Sequence, residues 1–289
     1  MARQPVPSDS AEAPTTGHVW DGIREFDKPL PRWWLWVLYA TVVWAIGYWI
    51  AMPAWPLVRD YSRGVLGYSQ RLTLAEEMKQ ARQAQAKFLS QIAAAPLERI
   101  RTDPALLEFA LAGGRSAFAV NCSQCHGAGA AGSQGYPNLN DDAWLWGGSL
   151  DAIHRTIRFG IRSGHTDARE SIMPAFLRDR LLNPAQIDDI AEHVLALTQR
   201  ATDKAAAGRG AQLFAEQCAS CHRPDGKGNP EFGAPDLTDS IWLYGGDRQT
   251  IVQTTSYSRR GVMPAWEGRL DPVTIKQLAI YVHSLGGGR

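Results

Sequence analysis

The sequence predicts a mainly α protein, with one N-terminal transmembrane helix followed by two tandem small helical domains, on three observations. No residue from Trp33 to Val58 is charged. The pattern Cys-x-x-Cys-His occurs twice, at Cys122-Ser123-Gln124-Cys125-His126 and Cys218-Ala219-Ser220-Cys221-His222, and takes up all four cysteines. The residues around the first copy recur in the same order around the second, the mark of an internal repeat. The 289 residues leave room for about two globular domains. The 30 basic and 29 acidic residues give a net charge of +1 with no polybasic tract, which excludes a nucleic-acid-binding role.

Residues 1–32 are read as an N-terminal cytoplasmic segment. Its opening, residues 1–17, is polar with several prolines and is expected to gain order only against a partner. Residues 33–58 form the transmembrane anchor. Within it the 20 residues Trp33–Met52 would span about 30 Å as a helix, which matches a bilayer core. Trp33, Trp34, Trp36, Trp44 and Trp49 crowd this tract, and Trp55 stands beyond Pro53, where an interfacial aromatic belt belongs. A cleaved signal peptide fits poorly, because the apolar run is too long and no small-residue site closes it. Arg24, Lys28 and Arg32 before the span balance Arg59, Arg63 and Arg71 after it, so charge alone does not orient the anchor.

Residues 59–110 are a helical spacer. Thr73-Leu74-Ala75-Glu76 reads as a capping box. From there Leu74, Met78, Ala81, Phe88 and Ile92 recur at helical spacing until Pro96 breaks the run. A second helix is expected to start with Asp103 as N-cap and Pro104 in its first turn. The spacer either carries the following domains away from the membrane or docks another subunit.

Residues 111–200 and 201–289 are the two repeated domains. Gly114 and Gly210 hold the same place before their motifs, and Pro137-Asn138-Leu139 corresponds to Pro235-Asp236-Leu237. Trp144-Leu145-Trp146-Gly147-Gly148 corresponds to Trp242-Leu243-Tyr244-Gly245-Gly246, and Met173-Pro174-Ala175-Phe176 to Met263-Pro264-Ala265-Trp266. Each repeat closes on an amphipathic helix, with Ile187, Ile190, Val194 and Leu197 on one and Ile275, Leu278, Val282 and Leu285 on the other.

Cys-x-x-Cys-His is the attachment pattern of c-type haem, with two thioethers to the porphyrin and the histidine beneath the iron. Two disulfides, a zinc site or thioredoxin-like pairs are the other uses of four such cysteines, and a four-cysteine zinc site leaves both histidines without a role. Two covalently bound haem c groups are therefore expected, on Cys122 and Cys125 and on Cys218 and Cys221. His126 and His222 are the expected axial ligands. Haem of this kind is attached outside the bacterial cytoplasm, which orients the chain: a single pass through the inner membrane, N-terminus inside, haem domains in the periplasm.

Of the five methionines only Met173 and Met263 lie in the repeats, at matched positions, and both are expected as sixth iron ligands. His154, His165, His193 and His283 have no counterparts at equivalent positions; the first two are read as surface or structural and the last two as structural. Iron closed by histidine and methionine passes electrons and leaves no ready place for oxygen or peroxide, so no catalytic residue is expected. The Pro-x-Leu segments read either as ordinary turns or as a shell around the axial histidines. They resemble the loop of small class I cytochromes c. There the carbonyl of a proline, here Pro137 or Pro235, orients the histidine, and a leucine, here Leu139 or Leu237, packs on the haem.

A wider resemblance covers nearly the whole chain. Thr15-Thr16-Gly17-His18-Val19-Trp20-Asp21-Gly22-Ile23 and Pro29-Leu30-Pro31-Arg32-Trp33-Trp34 precede a single anchor, and the two haem motifs follow. This order resembles the di-haem subunit III family (CcoP or FixP) of cbb3-type cytochrome c oxidases. The resemblance implies two tandem class I cytochrome c domains and a non-catalytic electron-transfer subunit of a proton-translocating oxidase. It implies a donor cytochrome c, a mono-haem c subunit and a haem–copper catalytic subunit as partners. It also implies ligand sets in chain order, Met173 completing the first haem and Met263 the second, and places residues 17–32 against partner subunits. A free-standing membrane-anchored di-haem shuttle shares every haem residue. A di-haem peroxidase or ligand sensor would need an open iron.

Overall fold

A computed structural model describes residues 14–286. The chain divides into two compact units between Gln83 and Ala84.

In the first unit, β1 (Thr15–Trp20) and β2 (Ile23–Phe26) pair as an antiparallel hairpin. Asp21 and Gly22 turn it at φ 49° and 85°, the left-handed geometry that an Asp-Gly hairpin turn demands. The end of the polar opening is thus part of a strand, while residues 1–13 lie outside the described residues. α1 (Arg32–Ala51) has no buried residue and is the one helix among the described residues long and apolar enough to cross a membrane. It stops at Ala51, so the last residues of the predicted 33–58 anchor are loop. That loop folds back on the helix end, where the Val65 and Leu66 N–H groups donate to the Ile50 and Ala51 carbonyls at 2.9 and 3.0 Å. Carbonyls left free by the last turn are satisfied in this way.

α2 (Gln70–Ala94) begins before the expected capping box. Ser69 supplies the cap instead, its Oγ accepting the Leu72 N–H at 3.4 Å, so Thr73 lies inside the helix. α3 (Leu97–Thr102) and α4 (Pro104–Asn121) follow. Asp103 caps α4 by accepting the Ala105 and Leu106 N–H groups, with Pro104 in the first turn. The remaining helices are α5 (Ser123–His126), α6 (Leu150–Phe159), α7 (Pro184–Leu197), α8 (Lys204–Gln217), α9 (Ala219–His222), α10 (Arg248–Tyr257) and α11 (Pro272–Gly286). The end of α2 is held in the second unit by Lys276 of α11, whose ammonium donates to the Ile92, Ala93 and Ala95 carbonyls at 3.1, 2.9 and 2.7 Å.

The helices of the second unit do not pack in chain order. One hydrophobic core joins Phe118 of α4, Ile153 and Ile157 of α6, and Leu278 and Val282 of α11. The other joins Ile187, Ile190 and Val194 of α7, Phe214 of α8 and Ile251 of α10. The second core is one continuous stretch of chain, inserted into a first core built from residues on both sides of it. This departs from a division into residues 111–200 and 201–289, because the closing helix of each repeat serves the other repeat. Only residues 198–203 separate α7 from α8, and helices joined by so short a turn pack on each other as antiparallel neighbours. α7 is thereby taken by α8, and α4 is closed by α11. Each crossing is made at a glycine, Gly114 of α4 meeting the Gln277 backbone and Gly210 of α8 the Asp189 backbone.

Glu192 of α7 ties the α7–α8 turn. Buried in the second core, its carboxylate accepts the Thr202 and Asp203 N–H groups at 2.8 and 3.1 Å, the Thr202 hydroxyl at 3.1 Å and Arg248 Nε at 3.0 Å. The Asp203 N–H leads the donors that hold this carboxyl below its ordinary value, against burial, which pushes it up. A depressed folded-state value adds stability above the unfolded carboxylate value of about 4.3 and loses it as the pH falls through the folded value. Glu192→Ala is expected to lower unfolding stability by ~1–3 kcal/mol, the scale for leaving buried donors unsatisfied, since half-exposed Arg248 keeps Asp188 as a partner. A shallower pH dependence of the urea midpoint below about pH 4.3 should accompany it.

Candidate haem-binding site

The two motifs are built alike. α4 runs without interruption into Cys122, whose N–H donates to the Phe118 carbonyl at 2.9 Å, and the single turn α5 then presents Cys125 and His126. α8, Cys218 and α9 repeat this, with Cys218 N–H on the Phe214 carbonyl at 2.9 Å. None of the four cysteines forms a disulfide. Burial pushes the Cys122 and Cys218 thiols up to about 11, with the neighbouring Cys125 and Cys221 adding to the effect. Before any haem is attached, this burial favours the neutral thiol, the form least prone to capture a metal ion or to exchange disulfides.

Each histidine is oriented by a proline carbonyl. His126 Nδ1 lies 3.0 Å from the Pro137 carbonyl oxygen and His222 Nδ1 lies 3.1 Å from that of Pro235. A carbonyl only accepts, so Nδ1 carries the proton and Nε2 keeps its lone pair for a metal. Burial holds both imidazoles below their ordinary values, against the pull of the proline carbonyl, which keeps them neutral. Leu139 N–H donates to the Ala130 carbonyl and Leu237 N–H to the Gly226 carbonyl, both at 2.8 Å, closing the two histidine loops. Leu139 packs on the first core and Leu237 is buried in the second.

The methionines are exchanged between the motifs. Met263 packs on the core that holds Phe118, Cys122, Leu139 and Trp144. Met173 packs on the core that holds Phe214, Cys218, Leu237 and Trp242. The in-order pairing of Met173 with His126 and Met263 with His222 is not what the packing brings together. The main chain shows how the exchange is made. Ile161 and Met263 pair through reciprocal N–H···O bonds of 3.0 Å, and the Trp266 N–H reaches the Ile157 carbonyl at the end of α6 at 3.2 Å. In the other direction the Phe176 N–H donates to the Thr255 carbonyl at the end of α10 at 3.1 Å, and Ser258 Oγ donates to the Met173 carbonyl at 2.7 Å. Each methionine loop is seated on the helix of the opposite repeat.

Both motifs, both methionines and both prolines line one continuous cavity of about 1520 Å3. Single ligand sites run ~300–1,000 Å3, so this volume suits two large planar groups. Trp144 Nε1 is the one buried side-chain nitrogen or oxygen among the described residues with no hydrogen-bond partner in the protein. Its counterpart Trp242 donates to the Asp239 carbonyl at 3.2 Å. Paired thiols, an imidazole with Nε2 left free and a thioether around each half of this cavity make a donor set that fits haem.

The four other histidines of the repeated domains, His154, His165, His193 and His283, do not line this cavity. His165 Nε2 lies 3.2 Å from the Glu267 carboxylate, which also accepts from Arg158. His193 packs against Phe214, with ring centroids 5.0 Å apart. Residues absent from the sequence-based set are Trp144, Trp146, Trp242 and Tyr244, which line the cavity; their signal was the repeated Trp-Leu-aromatic-Gly-Gly segment.

Comparison with known families decides the assignment. Residues 12–59 match the model for the N-terminal domain of cytochrome oxidase-cbb3, FixP. Residues 109–194 and 205–282 match that for cytochrome c oxidase, cbb3-type, subunit III. The chain belongs to the FixP/CcoP family, subunit III of cbb3-type cytochrome c oxidases. Members of the family align with it over almost their full length. The cbb3-type cytochrome c oxidase subunit FixP of Azorhizobium caulinodans is 53% identical over 98% of this chain and 97% of its own. Subunit CcoP of Cereibacter sphaeroides is 49% identical over 100% of both. FixP of a Bradyrhizobium species is 52% identical over 95% of both. Family membership gives the chain haem-binding cytochrome c domains, a membrane-anchored character and other oxidase subunits as partners.

Proposed function

We propose that this subunit binds two haem c groups covalently and passes electrons one at a time from a donor cytochrome c toward the mono-haem and haem–copper subunits. Cys122 and Cys125 hold the first haem and Cys218 and Cys221 the second. The axial pairs are exchanged: His126 with Met263, and His222 with Met173. The observation that carries this reading is the seating of each methionine in the core of the other repeat's Cys-x-x-Cys-His motif.

When bound, haem supplies an iron that alternates between ferric and ferrous and so carries one electron. The residues of the chain do the rest. Pro137 and Pro235 fix the axial imidazoles through the Nδ1 proton. Met263 and Met173 offer neutral thioethers, which favour the ferrous state and raise the potential. Phe214 and Leu237, which line the cavity, would help to keep water from the second haem. No proton moves at these residues during transfer. On this reading the haem units face the periplasm and residues 17–32 lie on the cytoplasmic side.

Affinity purification from detergent-solubilised membranes tests it. Two haems per chain, retained after denaturation, and co-purification of the mono-haem and haem–copper subunits are expected. Recovery of the chain alone, with oxidase activity unchanged in a deletion strain, would point to the free shuttle instead.

A further inference from the structure

The repeated Trp-Leu-aromatic-Gly-Gly segments place two aromatic rings where the cores meet. Arg169 lies over the Trp146 ring, 5.3 Å from its centre, and Arg259 lies over the Tyr244 ring at 5.4 Å. Each arginine stands four residues before a methionine, Arg169 before Met173 and Arg259 before Met263. Each ring also meets a glycine in the histidine loop of the other repeat. A Cβ built on Gly233 would overlap the Trp146 indole, and one on Gly135 would lie 3.3 Å from Tyr244 Cε1. Both glycines are at positive φ, 60° and 87°, which side chains rarely adopt, and at Gly233 the space is taken as well. The Gly135 N–H donates to the Leu243 carbonyl at 2.8 Å, and Gln134 Nε2 to the Tyr244 carbonyl at 3.1 Å, which locks one of the two junctions.

The exchange of methionines gives this arrangement its meaning. Trp146 is continuous in chain with the first motif, yet it touches the His222 loop through Gly233 and the approach to Met173 through Arg169. Tyr244 is continuous with the second motif, yet it touches the His126 loop through Gly135 and the approach to Met263 through Arg259. Each ring thus connects its own site to the segments carrying both axial ligands of the other, and both rings line the shared cavity. A guanidinium over the face of an aromatic ring is attracted by the ring quadrupole, which helps to fix the ring at the junction.

We propose that Trp146 and Tyr244 are positioning residues for electron exchange between the two haem sites, holding the sites at one separation and orientation. In that exchange one electron leaves a ferrous centre, which becomes ferric, and enters the ferric centre of the other site, which becomes ferrous. No bond forms and no proton is transferred. The proposal rests on the reading that both sites carry haem.

The test uses the full-length chain in its purified oxidase complex, with Trp146→Ala, Tyr244→Ala and the double variant beside Trp146→Phe and Tyr244→Phe. Haem content and the methionine-to-ferric-iron charge-transfer band establish that both sites are intact. Magnetic interaction between the two ferric centres reports their separation, and electron equilibration after photochemical reduction of one of them reports exchange. The alanine variants should keep two methionine-ligated haems, lose magnetic interaction and equilibrate at least about tenfold more slowly, since small misplacements weigh heavily on positioned reactions. The phenylalanine variants should behave as the wild type. Alanine variants with intact haems, unchanged interaction and unchanged equilibration would overturn the proposal. Should the alanine variants not assemble, Arg169→Gln and Arg259→Gln, which remove the cation from each ring, are read by the same measurements with the same two outcomes. A wild-type preparation with fewer than two haems would instead defeat the two-haem reading.

Discussion

Replacing Met263 by alanine is expected to lower the reduction potential of the haem on Cys122 and Cys125, while the haem on Cys218 and Cys221 keeps its value. Met173→Ala should do the reverse. The direction follows from loss of the thioether, which stabilises ferrous iron. The size should be about a few tenths of a volt, inside the ~0.8 V range that axial ligation spans. The decisive background is a variant with Cys218→Ser and Cys221→Ser, which keeps only the first attachment motif. There Met263→Ala should shift the remaining potential and Met173→Ala should leave it in place. If Met173→Ala moves it instead, the ligands pair in chain order and the packing of Met263 beside Cys122 has no ligand role.

This experiment addresses the point at which sequence and structure part. The attachment motifs, the proline carbonyls on the histidines and the amphipathic helices are all local patterns, and local patterns are legible because the nearest residues decide them. The Asp103 cap and the proline after it are of this kind. The hairpin turned at Asp21 and Gly22 was equally open to reading, as an Asp-Gly pair between two short runs rich in β-branched and aromatic residues. The exchange of the closing helices is different. α7 and α11 offer nearly the same apolar face, so periodicity cannot say which of them covers α4 and which covers α8. Connection length can. With only residues 198–203 between them, α7 and α8 are obliged to be neighbours. An internal repeat favours pairing like with like in order, and that inference fails when the linker is shorter than the path it must cross. The insertion also accounts for the strand-like pairing of Ile161 with Met263. The chain leaves the first core and returns to it at the same place, as an inserted domain requires.

Gly114→Val should separate the two cores in stability. At this crossing α4 approaches α11 so closely that a Cβ on Gly114 would overlap the Gln277 carbonyl and the Tyr281 Cβ. Backbone cannot rotate away as a side-chain tip can, so the two helices must move apart. Phe118, which packs against Tyr281 with ring centres 5.5 Å apart, would lose part of its contact. Overpacked sites cost about 1–3 kcal/mol, and one set against backbone belongs at the upper end, ~3 kcal/mol. Because α11 belongs to the first core, the damage should appear at the haem on Cys122 and Cys125, as loss of its methionine charge-transfer band at lower denaturant than in the wild type. Gly210→Val, at the matching crossing of α8 on α7, should produce that loss at the second haem. The two variants together locate the crossings, since each should unsettle only the core in which its glycine lies. A wild-type response to Gly114→Val, with both bands lost at the usual denaturant concentration, would remove the close crossing of α4 on α11, independently of which sulfur ligates which iron.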